Sequence, residues 1–277
     1  MTKLKNRSNE ECEQKAPVCA VIGMPVEHSL SPSIHQHFAS QCNLDLIYIK
    51  IRGKEESIKK QIENFFDDGG LGLNVTLPFK GKAYQMAEIL TTRAIKAKAA
   101  NTLWLNTSGQ LCADNTDGLG LLFSLNLHTD LQHKKVLLLG AGGAAKGVIQ
   151  SLLDSNIGSL TVANRSFDKL LSLKQQFNEI EISAFENLEP CYDVIINATS
   201  SSIDNKIPDV NSKIISGCLC VDMFYDRKRD TSFVIYCKNN GAIKSIDGLE
   251  MLVGQAAASF EIWHKLEINA QQTLRYI

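Results

Sequence analysis

The chain has 277 residues and a formal net charge of −1. That length predicts one large or two modest domains, and the near-neutral charge argues against nucleic acid or an anionic membrane as the main partner. The eight cysteines are scattered without a Cys-x-x-Cys pair, which predicts a reduced, cytoplasmic protein without a metal site. Residues 1–15 are polar and are predicted to be a disordered extension, and no apolar run reaches membrane-spanning length.

The first predicted elements are a buried strand over 18–23 and the helix that follows it. Pro32 suits the first turn of a helix and makes Ser31 a natural N-cap. Ser29 and Ser31 have two interpretations, which spacing alone does not separate. Either they cap the helix, or their hydroxyls bind a carboxylate beside the free helix N–H groups. The three histidines of this stretch are interpreted as surface or helix-face residues, because no carboxylate or cysteine cluster accompanies them.

Strands and helices alternate up to residue 118. The pattern predicts a strand over 46–51, a helix over 55–66, a strand over 72–76, helical sequence over 82–98, and a hairpin with strands over 99–105 and 110–113. Lys80 follows the third strand, where α/β proteins place chemistry, although on spacing alone a lone lysine is a solvated surface charge. Asp117 lies in the polar run Asp114–Gly118, and it either caps the next helix or serves a ligand.

A strand, a glycine turn and a helix follow one another at residues 136–153. The apolar run 136–139 is typical of a strand buried on both faces, and Gly140-x-Gly142-x-x-Ala145 comes directly after it. Gly140 permits the tight turn, Gly142 lets backbone N–H groups approach a pyrophosphate, and the small Ala145 lets the helix lie close to the strand. This pattern predicts a dinucleotide site, the alternative being a tight turn without a ligand.

The next strand, over 160–163, ends in the residues that discriminate between cofactors. An NAD site would place Asp or Glu at this strand tip to accept hydrogen bonds from the ribose, and the sequence has Asn164-Arg165-Ser166 there. Arg165 and Lys169 supply positive charge, and a guanidinium can bind a 2′-phosphate with two hydrogen bonds. NADP is therefore predicted over NAD. The alternative is that Arg165 pairs with a surface carboxylate such as Asp168.

Two more buried strands, over 192–200 and 219–225, would deliver their polar carboxyl ends to the crevice at the nicotinamide end of the cofactor. A short strand over 242–246 and a helix that carries Gln255 complete the chain. The predicted fold is α/β with two domains. A substrate-binding domain with a mixed sheet spans 16–116 and is completed by helices in 250–277, and a Rossmann-type domain with a doubly wound parallel sheet spans 117–249.

Several motifs together resemble one family, the shikimate dehydrogenases, from about residue 18 to residue 263. In the family's order the sequence contains His28-Ser-Leu-Ser-Pro32, Asn74-Val-Thr-Leu-Pro-Phe-Lys80, Ala100-Asn-Thr102, Asp114-Asn-Thr-Asp-Gly118, Gly140-Ala-Gly-Gly-Ala144, Asn164-Arg165, Ile196-Asn-Ala-Thr-Ser200 and Asp247-Gly-Leu-Glu-Met-Leu-Val-Gly-Gln255. The resemblance implies reversible, NADPH-dependent reduction of 3-dehydroshikimate to shikimate, in the pathway to the aromatic amino acids.

The resemblance also implies a role for each matched position. Lys80 and Asp117 match the catalytic pair, and Ser29 and Ser31 match the residues that hold the substrate carboxylate. The groups expected at the substrate ring are Asn74, Thr76, Lys80, Asn101, Asp117, Tyr225 and Gln255. The expected cofactor contacts are Gly140, Ala141, Gly142, Gly143, Ala144, Asn164, Arg165, Ser166, Lys169, Thr199, Ser200, Met223 and Gly248. Ser166 stands where Thr is usual and Lys169 where Arg is frequent, and both substitutions keep the chemistry.

Two other functions compete with this one. A quinate/shikimate dehydrogenase would use a broader substrate range and NAD, and an acidic residue at the adenosine loop would favour it. A non-catalytic, ligand-sensing regulator would have lost Lys80 or Asp117, and both are present. We expect a small-molecule substrate, no nucleic acid, no membrane, no metal, and a monomer or homodimer.

Overall fold

The computed structural model describes residues 16–277, so the predicted extension at 1–15 lies outside the described residues. The described chain forms two six-stranded sheets, one after the other along the sequence. The sequence predicts this α/β architecture, with a mixed sheet first and a parallel sheet second, and it is confirmed. No helix within residues 16–277 has both the length and the apolar character needed to cross a bilayer.

The first sheet is mixed and has the order β2-β1-β3-β5-β6-β4. Its strands are β1 (Val18–Gly23), β2 (Ile47–Arg52), β3 (Gly72–Val75), β4 (Ile89–Leu90), β5 (Thr102–Leu105) and β6 (Leu111–Asp114), and its helices are α1 (Ser31–Gln41), α2 (Ile58–Asp67), α3 (Lys80–Met86) and α4 (Thr92–Ala97). β1 pairs in parallel with β2 and β3, whereas β5 runs antiparallel to β3 and β6. The carboxyl ends of β1 and β3 therefore lie at the same edge.

The prediction of one helical stretch over 82–98 is wrong. The chain leaves α3 after Met86, and Ile89 and Leu90 form the short strand β4, which pairs in parallel with Cys112 and Ala113 of β6. The Thr91 hydroxyl then accepts a hydrogen bond from the Ala94 N–H and caps a separate helix, α4. A pairing partner more than 20 residues away overrides the local helical preference.

The second sheet is entirely parallel and has the order β12-β11-β10-β7-β8-β9. Its strands are β7 (Lys135–Leu139), β8 (Ser159–Ala163), β9 (Glu181–Ser183), β10 (Val194–Asn197), β11 (Leu219–Asp222) and β12 (Lys244–Ile246). The helices between them are α6 (Gly143–Leu153), α7 (Phe167–Gln176) and α8 (Ser232–Asn239). Read from β9, this is the doubly wound order, with its switch point between β7 and β10.

Two helices join the sheets. α5 (Asp117–Asn126) leaves the first sheet, and α9 (Leu249–His264) leaves the second; the short α10 (Ala270–Thr273) ends the chain. A Cβ at Gly120 of α5 would collide with the main chain of α9 at Met251, so the glycine is what allows the helices to touch. α9 also packs against α1, where Phe38 and Phe260 share one apolar cluster, so the C-terminal helices return to the first sheet.

Candidate active site

An ion pair lies where α3 and α5 begin. Lys80 and Asp117 are the first residues of these helices, and the Lys80 Nζ donates a hydrogen bond of 2.6 Å to Asp117 Oδ2. Only 25% of the Lys80 side chain and 10% of the Asp117 side chain are exposed, so Lys80 is not a freely solvated charge. Thr116 occupies the N-cap position of α5 without a side-chain cap, so of the two alternatives for Asp117 the N-cap is not formed.

Asn101 holds the other oxygen of the Asp117 carboxylate. Its Nδ2 donates a 2.8 Å hydrogen bond to Asp117 Oδ1, and its Oδ1 accepts one of 2.8 Å from the backbone N–H of Thr116. Because a backbone N–H can only donate, the orientation of the Asn101 amide is unambiguous. The same Nδ2 lies 3.2 Å from Gln255 Oε1 on α9. Asp117 is therefore clamped between an ammonium and an amide.

Of the three remaining predicted ring-binding residues, Asn74 is the one that hydrogen bonds within residues 16–277 join to this clamp. Asn74, at the carboxyl end of β3, is only 5% exposed, and its Nδ2 donates to the main-chain carbonyl of Asn101 at 3.1 Å. Thr76 is half-buried immediately after β3. Tyr225 is half-buried against the cluster of α1 and α9, and burial raises the pKa of its hydroxyl. The side-chain hydrogen bonds found in residues 16–277 do not connect Thr76 or Tyr225 to the Lys80–Asp117 pair.

The two predicted carboxylate-binding serines are next to each other at the start of α1. The Ser29 hydroxyl donates to the Ser31 hydroxyl at 3.1 Å and accepts from the Ser31 N–H at 3.2 Å. Ser31 is the first helical residue, and Leu30 is the N-cap, so the predicted N-cap position for Ser31 is wrong. The pair presents two hydroxyls beside a helix N-terminus, an arrangement that suits an anionic group.

The glycine turn after β7 has the geometry of a phosphate-binding loop. Gly140 has a φ of +112°, and a Cβ there would lie 3.0 Å from the carbonyl oxygen of Ala198, so both backbone and space require glycine. α6 begins at Gly143, and a Cβ at Gly142 or Gly143 would meet nothing within 4 Å. Gly142, Gly143 and Ala144 are exposed, so a ligand can approach this helix start, whose free N–H groups suit a dinucleotide pyrophosphate. Ala141 and Ala144 lie in the same loop.

The predicted adenosine loop follows β8. Asn164 Nδ2 donates to the carbonyl oxygen of Ser166 at 3.0 Å and shapes the turn into α7. Arg165 and Lys169 are both exposed. The ion pairs in the described part of the chain do not include Arg165, so the alternative pairing with Asp168 is not formed. Two cations at this strand tip suit a phosphate.

The ends of β10 and β11 are tied together by a buried carboxylate. Asp222 is fully buried and accepts hydrogen bonds from Asn197 Nδ2 and from the hydroxyls of Ser202 and Thr231. Burial raises the pKa of Asp222, and these hydrogen bonds partly oppose it. Four of the predicted cofactor contacts, Thr199, Ser200, Met223 and Gly248, lie on the segments that this network holds.

Three family models match the chain. The shikimate dehydrogenase substrate binding domain matches residues 21–103, shikimate / quinate 5-dehydrogenase matches 124–211, and the shikimate 5′-dehydrogenase C-terminal domain matches 248–275. A relative from Legionella pneumophila (strain Corby), named shikimate dehydrogenase (NADP(+)), is 46% identical over 259 residues, which are 93% of this chain and 97% of that protein. The chain belongs to the shikimate dehydrogenase family.

The fold of this chain is also similar to solved structures over nearly its whole length. An Ael1 enzyme from Pseudomonas putida superposes with a TM-score of 0.90 at 34% identity, covering 94% of this chain and 98% of that one. Shikimate 5-dehydrogenase from Thermus thermophilus, in complex with NADP(H) and shikimate, superposes with a TM-score of 0.84 at 27% identity, covering 94% and 97% of the two chains.

The sequence did not predict three buried hydroxyl groups that pack against Asn74 and Asn101 in this shikimate dehydrogenase family member. The hydroxyls of Thr102, Thr116 and Ser259 form a fully buried triangle with sides of 2.7, 3.3 and 3.3 Å, and Thr102 also donates to Asn101 Oδ1. Thr116 lies inside one of the family motifs, but Ser259 is in α9, 143 residues further on. Periodicity alone assigns Ser259 to a core face and says nothing about its partner.

One of the three histidines near the start of this shikimate dehydrogenase family chain is fully buried. His35 has an exposure of 0%, and neither ring nitrogen has a hydrogen-bond partner. Burial, and to a smaller extent the charge of His264, lowers the pKa of His35 to about 3. His28, in contrast, is exposed. The residues from 16 onward contain no group of three or more His, Cys, Asp or Glu side chains that could hold a metal ion, and their seven cysteines are all free.

Proposed function

We propose that this protein catalyses the reversible, NADPH-dependent reduction of 3-dehydroshikimate to shikimate, in the pathway to the aromatic amino acids. The observation that carries the proposal is the Lys80–Asp117 ion pair, which lies where α3 and α5 begin, with both side chains largely shielded from water. The Legionella relative is named for this NADP(+)-dependent activity, and the Thermus neighbour was solved with NADP(H) and shikimate.

The chemical step needs a protein group that donates a proton to the substrate oxygen. When bound, NADPH supplies the hydride for the carbonyl carbon. Lys80, as an ammonium, donates the proton that the developing alkoxide requires, and it recovers that proton from water after product release. Asp117 holds the ammonium through its Oδ2, and Asn101 keeps the carboxylate from rotating by bonding its Oδ1. Asp117 thus orients the acid, and this pre-organisation is what makes the transfer efficient.

Substrate recognition separates into a carboxylate end and a hydroxyl end. Ser29 and Ser31 bind the carboxylate with their hydroxyls, assisted by the positive end of the α1 dipole. The ring hydroxyls are bound by the cluster that contains Asn74, Thr76, Asn101, Asp117, Tyr225 and Gln255. The buried hydroxyl triangle supports this proposal because it gives the amides of the cluster fixed partners.

The cofactor is held along the carboxyl edge of the parallel sheet. The N–H groups at Gly142 and Gly143 bind the pyrophosphate, and Gly140, Ala141 and Ala144 complete the loop. Arg165 and Lys169 bind the 2′-phosphate, with Asn164 and Ser166 shaping the turn. Thr199, Ser200, Met223 and Gly248 line the nicotinamide end.

We also propose a domain organisation, an oligomeric state and a location in the cell. Residues 16–116, completed by 250–277, form the substrate-binding domain, and residues 117–249 form the cofactor domain. The protein works in the cytoplasm as a monomer or homodimer. The mixed and parallel sheets support this division, because the chain leaves the first sheet at Asp114 and passes through α5 into the second sheet, which it enters at Lys135.

One assay tests the activity. Oxidation of shikimate and of quinate is followed by the absorbance of the reduced cofactor with NADP and with NAD, using the purified full chain. We expect kcat/KM to be highest for shikimate with NADP. Comparable values for quinate with NAD would favour the broader quinate/shikimate dehydrogenase. No turnover of either substrate, together with shikimate binding by calorimetry, would instead indicate a regulator.

A further inference from the structure

A tyrosine outside the predicted site bonds directly to one of its members. Tyr48 lies on β2 and is only 6% exposed, and its hydroxyl donates a 2.7 Å hydrogen bond to Asn74 Oδ1. β2 and β3 are both neighbours of β1 in the sheet, so the side chain of Tyr48 reaches across β1 to Asn74. Neither the sequence motifs nor the proposed mechanism uses this hydroxyl.

The direction of this hydrogen bond follows from the other partners of Asn74. Its Nδ2 faces the carbonyl oxygen of Asn101 at 3.1 Å, which can only accept, so its Oδ1 must face Tyr48. The phenol is therefore the donor. Burial raises the pKa of Tyr48 well above its ordinary value, so the hydroxyl keeps its proton.

The protein thus uses both hydrogens of the Asn74 amide. One points to Asn101, and the other to the Ser259 hydroxyl at 3.0 Å. What the side chain can still offer to a ligand is the second lone pair of its oxygen, the atom that Tyr48 holds. The two Nδ2 hydrogen bonds orient the amide plane, and the phenol is the group that holds its oxygen directly.

Stacked rings fix the phenol in turn. The His35 ring lies parallel to the Tyr48 ring, with centroids 4.4 Å apart and planes inclined by 21°. Trp263 of α9 stacks with His35 at 5.4 Å and 24°. Tyr48 is therefore held by Asn74 of β3 and by His35 of α1, and His35 in turn stacks on Trp263 of α9, so packing fixes the ring that carries the hydroxyl.

We propose that Tyr48 is a positioning residue for substrate recognition, which acts by fixing the carbonyl oxygen of Asn74 as an acceptor for a ring hydroxyl of the substrate. The inference rests on the proposed function, because it needs a hydroxylated ring in the site. It assigns Tyr48 no contact with the substrate and no proton transfer. Its removal should therefore affect binding of the hydroxyls and leave the chemical step intact.

The test compares two Tyr→Phe variants of the full chain. Tyr48→Phe keeps the stacked ring and removes the donor, so we expect KM for shikimate to rise about five- to tenfold, with kcat within about twofold of wild type and KM for NADP unchanged. Tyr236→Phe is the control. It deletes a similar hydrogen bond, 3.0 Å to the Val210 carbonyl oxygen beside the second sheet, and should lower the melting temperature without changing either KM.

A second readout separates positioning of Asn74 from a general loosening of the first sheet and its helices. Cyclohex-1-ene-1-carboxylate has the carboxylate of shikimate but no hydroxyls, and its inhibition constant should be the same in wild type and Tyr48→Phe. An equal rise of the inhibition constant and of KM for shikimate would overturn the proposal, as would a KM for shikimate within about twofold of wild type. Wild-type turnover of shikimate, measured first, tests the proposed function separately.

Discussion

Acid should destabilise this protein through one histidine. His35 is enclosed by the rings of Phe38, Tyr48, Phe260 and Trp263, and neither of its nitrogens has a hydrogen-bond partner. Its pKa is lowered from 6.5 to about 3, first because burial disfavours the imidazolium and then because of the charge of His264. In the unfolded chain the His35 imidazole therefore binds a proton below pH 6.5, whereas in the folded chain it binds that proton only near pH 3.

The sign and size of the effect follow from linkage. Unfolding takes up a proton between these two pKa values, so the contribution to stability is present above pH 6.5 and is lost as the pH falls toward 3. At pH 5 the unfolded imidazole lies 1.5 units below its pKa of 6.5, and at about 1.4 kcal/mol per unit the loss relative to pH 7.5 is about 2 kcal/mol. This result holds for any folded pKa well below 5.

His35→Leu removes the titrating group and keeps a side chain of similar volume. The free energy of unfolding is measured by urea titration at pH 7.5 and pH 5, using the fluorescence of the two tryptophans. We expect the decrease between the two pH values to be about 2 kcal/mol smaller in His35→Leu than in wild type. His264, whose pKa burial also lowers, contributes to both proteins, and His28→Gln, at an exposed position, is the control. An identical pH dependence in wild type and His35→Leu would refute the reasoning.

Three further predictions concern catalysis and binding. Lys80→Met should lower kcat about 10²–10⁴-fold and change KM for shikimate much less, measured by steady-state kinetics; a near-normal kcat with only KM raised would make Lys80 a binding residue. Arg165→Ala should weaken NADP binding by about 1.5–3 kcal/mol and leave NAD binding unchanged in fluorescence titrations, and equal losses would contradict the assignment. Replacing both Ser29 and Ser31 with Ala should raise KM for shikimate without changing KM for NADP; loss of helix by circular dichroism with parallel weakening of NADP would show that the serines only stabilise α1.

Features that depend on near neighbours in the chain were predictable from the sequence. The run from Val136 to Ala145 predicts a buried strand, a glycine turn and a helix, because each of these depends on residues a few positions apart. The structure shows β7, a positive φ at Gly140 and α6 in that order. The absence of Asp or Glu directly after β8, which predicts NADP over NAD, could be seen in the sequence for the same reason. The roles of Lys80 and Asp117, however, came from the resemblance, since spacing alone indicated a surface charge and a cap.

Features that depend on distant partners were decided by the tertiary structure. Ile89 and Leu90 lie in helical sequence and form a strand because β6 supplies a pairing partner. Ser259 and His35 look like ordinary helix-face residues until α9 folds back onto α1 and β3, where one enters the hydroxyl triangle and the other a stack of rings. Periodicity identifies the buried face of a helix but not the side chain opposite it, and hydrogen bonds and burial free energies depend on that opposite side chain. The sequence by itself therefore determined most of the elements and the chemical groups they carry, whereas pairing and packing between distant segments determined β4 and the way those groups meet.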